Sequence, residues 1–316
     1  MRALVTGAAG FVGSFLVEEL LARGDTVTGV DCFSDYYSAA RKRDNVAVIG
    51  EHDAFTFLEA DLNEVEPAGL LAGVDVVFHL AGQPGVRASW GDEFDVYLTQ
   101  NVLTTQRLLE AARGASLQRF VLASSSSIYG QAERFPTSEG DRPRPLSPYG
   151  VTKLAAEHLC ALYHEAFGVP TVALRYFTIF GPRQRPDMAF SRFIAAALAD
   201  QPLTIIGDGG QSRDFTYVAD AVAATIAAGE QGAPGHVYNI AGGCQATVLE
   251  VVETLERIFG RAVQRLHLEP FPGDPRRTGA DVSAARADLD YAPSAGLESG
   301  LTRQVEHART LAASQA

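Results

Sequence analysis

The sequence predicts an α/β fold: a doubly wound parallel sheet with a smaller carboxyl-terminal α/β lobe. Three observations predict it. A short apolar run over residues 3–6 stops at a glycine-rich turn and passes straight into a helical pattern. Short β-branched runs then alternate with longer stretches of helical spacing, the order of a parallel sheet with crossover helices. After Gly181-Pro182 the segments shorten and become richer in Arg, Gly and Pro.

Each element follows from spacing and punctuation. Phe11, Phe15, Leu16 and Leu20 mark a helix over 11–23, which Gly24 ends. Residues 26–30 read as the next strand and close on Asp31, giving β-α-β within about thirty residues. Further strands are expected at 74–80, 119–124 and 171–175. Helical stretches are expected at 93–113 and 149–167. In the lobe, 187–200 reads as a helix, 203–206 as a strand and Asp208-Gly209-Gly210 as a turn. Residues 217–229 read as a helix, and 236–241 as a strand able to return to the main sheet. The helices 247–259 and 297–311 complete the tail. These boundaries suggest a dinucleotide-binding domain at 1–176, with a return segment near 216–241, and a substrate lobe at 177–316.

Composition narrows the function. The chain has 316 residues, a net charge of −12, 47% hydrophobic and 20% charged residues. Such an acidic balance argues against nucleic acid and anionic membrane as partners. It leaves room for an anionic small ligand held by local arginines, and Arg183, Arg185, Arg192, Arg213, Arg276 and Arg277 form one candidate group. Cys32, Cys160 and Cys244 show no metal-ligand spacing, so no metal is expected and each reads as a small buried side chain. No apolar run approaches the ~20 residues of a membrane span, and the start lacks a signal-peptide pattern, so a cytoplasmic protein is expected.

The turn Thr6-Gly7-Ala8-Ala9-Gly10-Phe11-Val12-Gly13 follows a strand and opens a helix. Gly7 permits the sharp turn, Gly10 lets a pyrophosphate approach the backbone, and Gly13 lets helix and strand pack closely. The helix N-terminus offers unpaired N–H groups to the phosphates. Asp31 lies at the end of the second strand, where a carboxylate binds ribose hydroxyls and repels a 2′-phosphate. The pattern is that of a Rossmann-type site for NAD rather than NADP. Asp61-Leu62 follows the run 56–60; its carboxylate suits the adenine amino group or a helix cap, and the residues leave both open. Leu80-Ala81-Gly82 ends another strand, at the edge where open α/β sheets bind ligands.

Tyr149 and Lys153 are four residues apart, hence on one helix face. A tyrosine of pKa near ~10 is a poor base at neutral pH. A neighbouring ammonium and a cationic nicotinamide would favour phenolate, letting Tyr149 exchange a proton with a sugar hydroxyl during hydride transfer. The run Ser124-Ser125-Ser126-Ser127 follows the strand 119–123, and a serine there can orient the same proton.

With these residues in view, the sequence resembles the extended short-chain dehydrogenase/reductase superfamily, in its NAD-dependent sugar epimerase/dehydratase branch. The resemblance rests on TGAAGFVG (6–13), HLAGQPGVRASW (79–90), SSSSIYG (124–130), SPYGVTK (147–153), RYFTIFGPRQRPDMAF (175–190) and GDGGQSRDFTYV (207–218). It implies catalysis by Tyr149, Lys153 and Ser125. It implies an NAD site made of Gly7, Gly10, Phe11, Val12, Gly13, Asp31, Asp61, Leu62, Leu80, Ala81, Gly82, Asn101, Ser124, Tyr149, Lys153 and Tyr176. It also implies a nucleotide-diphosphate site in the lobe, with Arg192, Arg213 and Arg276 on the diphosphate or ribose and Ile206 beside the uracil. Arg87 and Arg185 fall in these motifs without an implied contact. A homodimer is implied, with 93–113 and 149–167 forming an intersubunit helix bundle.

The resemblance also ranks the reactions. Resembling 4,6-dehydratases carry an Asp-Glu pair at the Ser126-Ser127 positions, and resembling UDP-glucuronate decarboxylases carry Glu at the Ser127 position. Serine at both favours 4-epimerisation of a UDP-sugar. Thr178 stands where UDP-glucose/galactose epimerases usually carry Asn and resembles the UDP-glucuronate 4-epimerases. A 4-keto uronate loses CO₂ when its carboxylate aligns with the ketone, so Ser126, Ser127 and Thr178 become candidate substrate contacts that hold that carboxylate. UDP-glucuronate is therefore the expected substrate. The neutral UDP-hexoses, decarboxylation of UDP-glucuronate and a non-catalytic dinucleotide-binding regulator are the alternatives.

Overall fold

The computed structural model describes residues 1–270 and 275–314. The first half alternates: β1 (Arg2–Thr6), α1 (Phe11–Ala22), β2 (Thr26–Asp31), α2 (Ala39–Ile49), β3 (Phe55–Glu59), α3 (Pro67–Leu70) and β4 (Val76–His79). A turn at Gly91–Glu93 leads into α4 (Phe94–Tyr97), a π turn at Leu98–Leu103 and α5 (Thr104–Ala112). Then come β5 (Arg119–Ser125), a 3-10 turn at Ser126–Ile128, α6 (Pro148–Phe167) and β6 (Thr171–Tyr176). Beyond lie β7 (Ile179–Phe180), α7 (Ala189–Leu198), β8 (Leu203–Ile206), β9 (Ser212–Tyr217), α8 (Val218–Gln231), β10 (Val237–Ile240), β11 (Cys244–Thr247), α9 (Val248–Phe259), β12 (Arg265–Leu268), α10 (Ser283–Leu289) and α11 (Leu297–Ser314).

The main sheet is seven-stranded and parallel throughout, in the order β10-β6-β5-β4-β1-β2-β3. The order reverses between β1 and β4, which opens a crevice at the carboxyl ends of those strands. β10 pairs with β6, so the segment near 236–241 does return to this sheet. A three-stranded sheet β11-β9-β7 and a two-stranded sheet β12-β8 form the rest.

Both faces of the main sheet are covered, as a parallel sheet requires. Alternate residues of β1 serve opposite faces. Ala3 and Val5 pack with Leu16, Leu20 and Phe78, a cluster that continues through Phe180, Phe190 and Phe215 into the lobe. Leu4 packs on the other face with Leu108, Phe120 and Cys160.

The helical stretch expected over 93–113 forms, but it differs from a regular α-helix by the π turn at Leu98–Leu103. Within that turn Asn101 points inward, with 2% exposure, and its side chain binds the backbone of Gln83. The widened turn supplies the extra residue that this requires. The cysteines also differ from the expectation. Cys160 is buried, but Cys32, which follows β2 at the open edge of the sheet, is exposed, and Cys244 is half-buried. Among the described residues, no helix is long and apolar enough to cross a membrane, and no group of three His, Cys, Asp or Glu is placed to hold a metal ion.

Candidate active site

The carboxyl edge of the main sheet opens into a cavity of about 410 Å³. At one end lies the glycine turn. Gly7 adopts φ +70° and donates its N–H to the Val30 carbonyl at 2.8 Å, which ties the turn to the end of β2. A Cβ at Gly7 would stand 2.8 Å from the Ala81 nitrogen, and one at Gly13 would overlap the Gly7 carbonyl oxygen. The turn is therefore a cradle that side chains would fill, and it opens α1 with unpaired N–H groups toward the cavity. These residues fit a dinucleotide pyrophosphate.

Asp31 lines the same end. Its carboxylate accepts the Phe33 N–H at 2.9 Å and the Ala9 N–H at 3.1 Å, so it also braces the glycine turn. Burial pushes its pKa up, against the pull of those N–H groups and of Lys42. Lys42 and Asn45, on one face of α2, are part of this end. Asn45 donates to the Ala9 carbonyl at 2.9 Å, and Lys42 donates to the Ser34 carbonyl at 2.8 Å. Asp61 accepts the Asn63 N–H at 2.8 Å, an Asx turn that faces its side toward the cavity.

The other end gathers Tyr149 and Lys153 from α6 with Ser124 to Ser127 from the end of β5. Helix α6 starts where it does for a local reason: the Ser147 hydroxyl accepts the Gly150 N–H at 3.1 Å, and Pro148 occupies the first turn. That start sets which face carries Tyr149 and Lys153. Lys153 Nζ donates to the Ala123 carbonyl at 3.0 Å and lies 6.0 Å from the Tyr149 ring centroid. Burial lowers the Lys153 pKa to about 8, with Glu157 opposing. The Ser125 hydroxyl accepts the Ser127 N–H at 3.1 Å, which aims its own proton elsewhere.

The electrostatics of Tyr149 differ from the expectation. Burial pushes its pKa up, and the groups that pull it back are the Ser125 hydroxyl and the Arg185 guanidinium, rather than Lys153. Lys153 is turned toward β5, and Arg185 reaches the cavity from the far side of the chain. Arg185 is fixed by Asp187 at 3.0 Å, and Asp187 also accepts the Tyr36 hydroxyl at 3.2 Å. A motif residue without an implied contact thus sits beside Tyr149. Only its place in RYFTIFGPRQRPDMAF could have signalled it.

Of the predicted site residues, all the glycine-turn, strand-end and serine positions line this one cavity, together with Tyr176 and Thr178. Asn101, Arg192, Ile206, Arg213 and Arg276 do not. Asn101 serves as a bracket: it grips the Gln83 backbone at 2.7 Å and 3.1 Å and the Thr152 hydroxyl at 3.0 Å. It thereby joins the Leu80-Ala81-Gly82 loop to α6. The expected arginine group is dispersed, most of its side chains having found other partners. Arg183 pairs with Glu18 on α1 at 2.7 Å, Arg276 pairs with Asp208 at 2.7 Å, and Arg277 lies 3.4 Å over the Phe135 ring. Arg192 is exposed on α7, and Arg213 donates to the Ser212 carbonyl at 2.8 Å.

Comparison with known proteins agrees with this geometry. An uncharacterized UDP-glucose epimerase of Bacillus subtilis is 47% identical over 98% of this chain and 99% of its own length. A UDP-glucuronate 4-epimerase of Thermodesulfobacterium geofontis is 37% identical over 96% of this chain and 94% of its own length. The crystal structure of UDP-glucuronic acid 4-epimerase from Bacillus cereus, in complex with UDP-glucuronic acid and NAD, superposes with a TM-score of 0.96 at 45% identity. That match covers 98% of this chain and 100% of the other. The profile of the NAD dependent epimerase/dehydratase family matches residues 3–241, most of the chain. The chain is a member of the NAD dependent epimerase/dehydratase family.

Proposed function

We propose that this enzyme interconverts UDP-glucuronate and UDP-galacturonate by inverting C4 through a 4-keto sugar. Residues 1–176 with the return near 216–241 are taken as the cofactor part, and 177–316 as the substrate lobe. Gly7, Gly10, Phe11, Val12 and Gly13 hold the pyrophosphate, and Asp31 the adenosine ribose. NAD, when bound, would supply the redox chemistry, a reversible hydride exchange at C4 with no net oxidation. Tyr149 takes the O4 proton at its phenolate oxygen, with the Ser125 hydroxyl steadying O4 and Arg185 favouring the phenolate. Lys153, as an ammonium, holds α6 to β5 and would contact the bound cofactor from the cavity wall. After the keto sugar has turned in the cavity, Tyr149 returns the proton.

One observation carries this reading. Ser126, Ser127 and Thr178 line the cavity beside Tyr149, and the carboxylates lining it among the described residues, Asp31 and Asp61, lie at the glycine-turn end. Among the described residues no acid–base pair for dehydration lines the cavity beside Tyr149, and the three hydroxyls are the groups we read as holding a C6 carboxylate out of line with the ketone. A second reading, on neutral UDP-hexoses, is favoured by the 47% identical relative named as a UDP-glucose epimerase. A cytoplasmic homodimer completes the proposal. Leu98 and Leu103 on the π turn and Val151 and Leu162 on α6 are exposed apolar side chains suited to an intersubunit bundle.

Chromatography of UDP-glucuronate and UDP-glucose after incubation with the enzyme separates the readings. Wild type is expected to form UDP-galacturonate with little UDP-pentose. Hydrogen bonds to a charged group contribute roughly 1.5–3 kcal/mol each. Thr178→Ala or Ser127→Ala should therefore slow uronate turnover about ten- to a hundredfold relative to UDP-glucose, and release more CO₂ per epimerisation. Preference of the wild type for UDP-glucose, or equal loss on both sugars, sinks the carboxylate clamp.

A further inference from the structure

Glu157 is a buried carboxylate that the proposed reaction does not use. It lies one helical turn after Lys153 on α6 and is 6% exposed. The two side chains reach adjacent residues of β5. Lys153 donates to the Ala123 carbonyl at 3.0 Å, and Glu157 accepts the hydroxyl of Ser124. On its other side Glu157 takes Arg175 of β6 through both nitrogens of the fork, at 2.8 Å and 3.1 Å. Arg175, also 6% exposed, goes on to the Tyr129 hydroxyl at 2.7 Å and the Glu139 carbonyl at 3.0 Å.

This arrangement has a bland reading: Glu157 exists to neutralise Arg175. A buried arginine left alone is strongly destabilising, so some anion must face it. The contact with Ser124 exceeds that need, since it ties the same carboxylate to the strand that receives Lys153. The groups facing Lys153 are Tyr149 and Glu157 on its own helix, His79 from β4 and Asn101 from the π turn. Among them Glu157 is the carboxylate that acts on it.

We propose that Glu157 is the counter-charge that keeps Lys153 an ammonium seated on β5, and so acts as a positioning residue for the Tyr149–Lys153 pair. The inference rests on the acid–base roles given above. It adds that one buried carboxylate serves two cations, Arg175 for folding and Lys153 for chemistry. The direction of its effect agrees: burial drives Lys153 toward the neutral amine, and Glu157 opposes that. Without Glu157 the ammonium loses its proton at a lower pH. The alkaline limb of kcat/KM, where Lys153 becomes neutral, must then move toward neutrality.

The test uses full-length enzyme. Glu157→Gln alone leaves Arg175 unpaired and is expected to fold poorly. The informative variants are therefore Arg175→Met and the double variant Glu157→Gln/Arg175→Met, which removes both charges at similar volume. Circular dichroism melting checks that each folds. In the double variant the alkaline limb should lie about one pH unit below that of Arg175→Met, the size of one nearby opposite charge. In Arg175→Met it should stay or rise. Competitive labelling of Lys153 with acetic anhydride as a function of pH, read by mass spectrometry of its peptide, gives the same midpoint without turnover. It therefore separates failure of this proposal from failure of the epimerase reading. A folded double variant whose labelling midpoint matches that of Arg175→Met overturns the proposal, as does an equal scaling of activity in both variants with no difference between their limbs.

Discussion

At the cofactor end the cavity wall is main chain: the glycine turn, the ends of β1, β2 and β4, and a carboxylate, Asp31, that is itself held by two backbone N–H groups. In the lobe, the expected diphosphate or ribose contacts are long side chains, and two of the three are engaged elsewhere, Arg276 with Asp208 and Arg213 with the Ser212 carbonyl, while Arg192 is exposed on α7. The difference is one of preorganisation. A site built of backbone geometry stands ready, because moving it would break strand pairing. A site built of arginines must exchange protein partners for ligand, and part of the binding free energy goes into that exchange. Tyr149 sits where the two regions meet, and its environment combines them: Ser125 from a strand end and Arg185 from the lobe side.

The largest expected effect falls at that meeting point. Tyr149→Phe removes the proton carrier but no part of the backbone cradle. Turnover should drop on the order of 10²-fold or more, with NAD affinity by calorimetry unchanged. Near-normal turnover would take Tyr149 out of the mechanism and break the division of labour.

Next comes the cradle itself. In Gly13→Ala the new Cβ overlaps the Gly7 carbonyl, so the turn or α1 must shift. Overpacking of this kind costs about 1–3 kcal/mol, which corresponds to roughly ten- to a hundredfold in NAD affinity if it falls on the turn. UDP-sugar binding measured without added NAD should change little. If both ligands weaken equally, the two ends are not independent and the comparison fails.

The same contrast explains what could be read from the chain. The glycine turn, Asp31 and the Tyr149/Lys153 spacing are local patterns, and the structure places all of them at one sheet edge. Helix α2 escaped, because its charges cluster at 41–44 and it buries only Lys42 and Asn45, which leaves no apolar stripe. Strand β9, with the sequence SRDFTY, lacks alternation since it is buried over Asp214–Tyr217 on both sides. The strand at 203–206 was legible, but its partner β12 lies some sixty residues away and is exposed throughout. The π turn answers to a contact between Asn101 and Gln83, eighteen residues apart, and helical periodicity says nothing of that. Arg185, Asp187 and Tyr36 meet across 151 residues, and Glu157 meets Arg175 from the neighbouring strand. Long-range polar partners are what a single sequence conceals.

The smallest effect concerns the exchange expected in the lobe. Arg276 holds the Asp208 carboxylate well below its ordinary range, at about 2, so the pair is charged at every working pH and salt is the lever. Both side chains are exposed, so the pair itself is weak. Asp208 also accepts the Gly210 N–H at 2.9 Å, which Asp208→Asn retains while removing the charge. If Arg276 must leave Asp208 to reach a diphosphate, that variant should bind UDP-sugar more tightly at low salt. The gain is no more than about fivefold, the ceiling for an exposed pair, and should fade as salt rises. Arg276→Ala should move affinity the other way, through KM rather than kcat. The ratio of KM values for Asp208→Asn and wild type, followed against ionic strength, is the measurement. A ratio of one at all salt concentrations, with Arg276→Ala also silent, would mean that Arg276 is a surface pair and that the lobe binds the nucleotide through other groups.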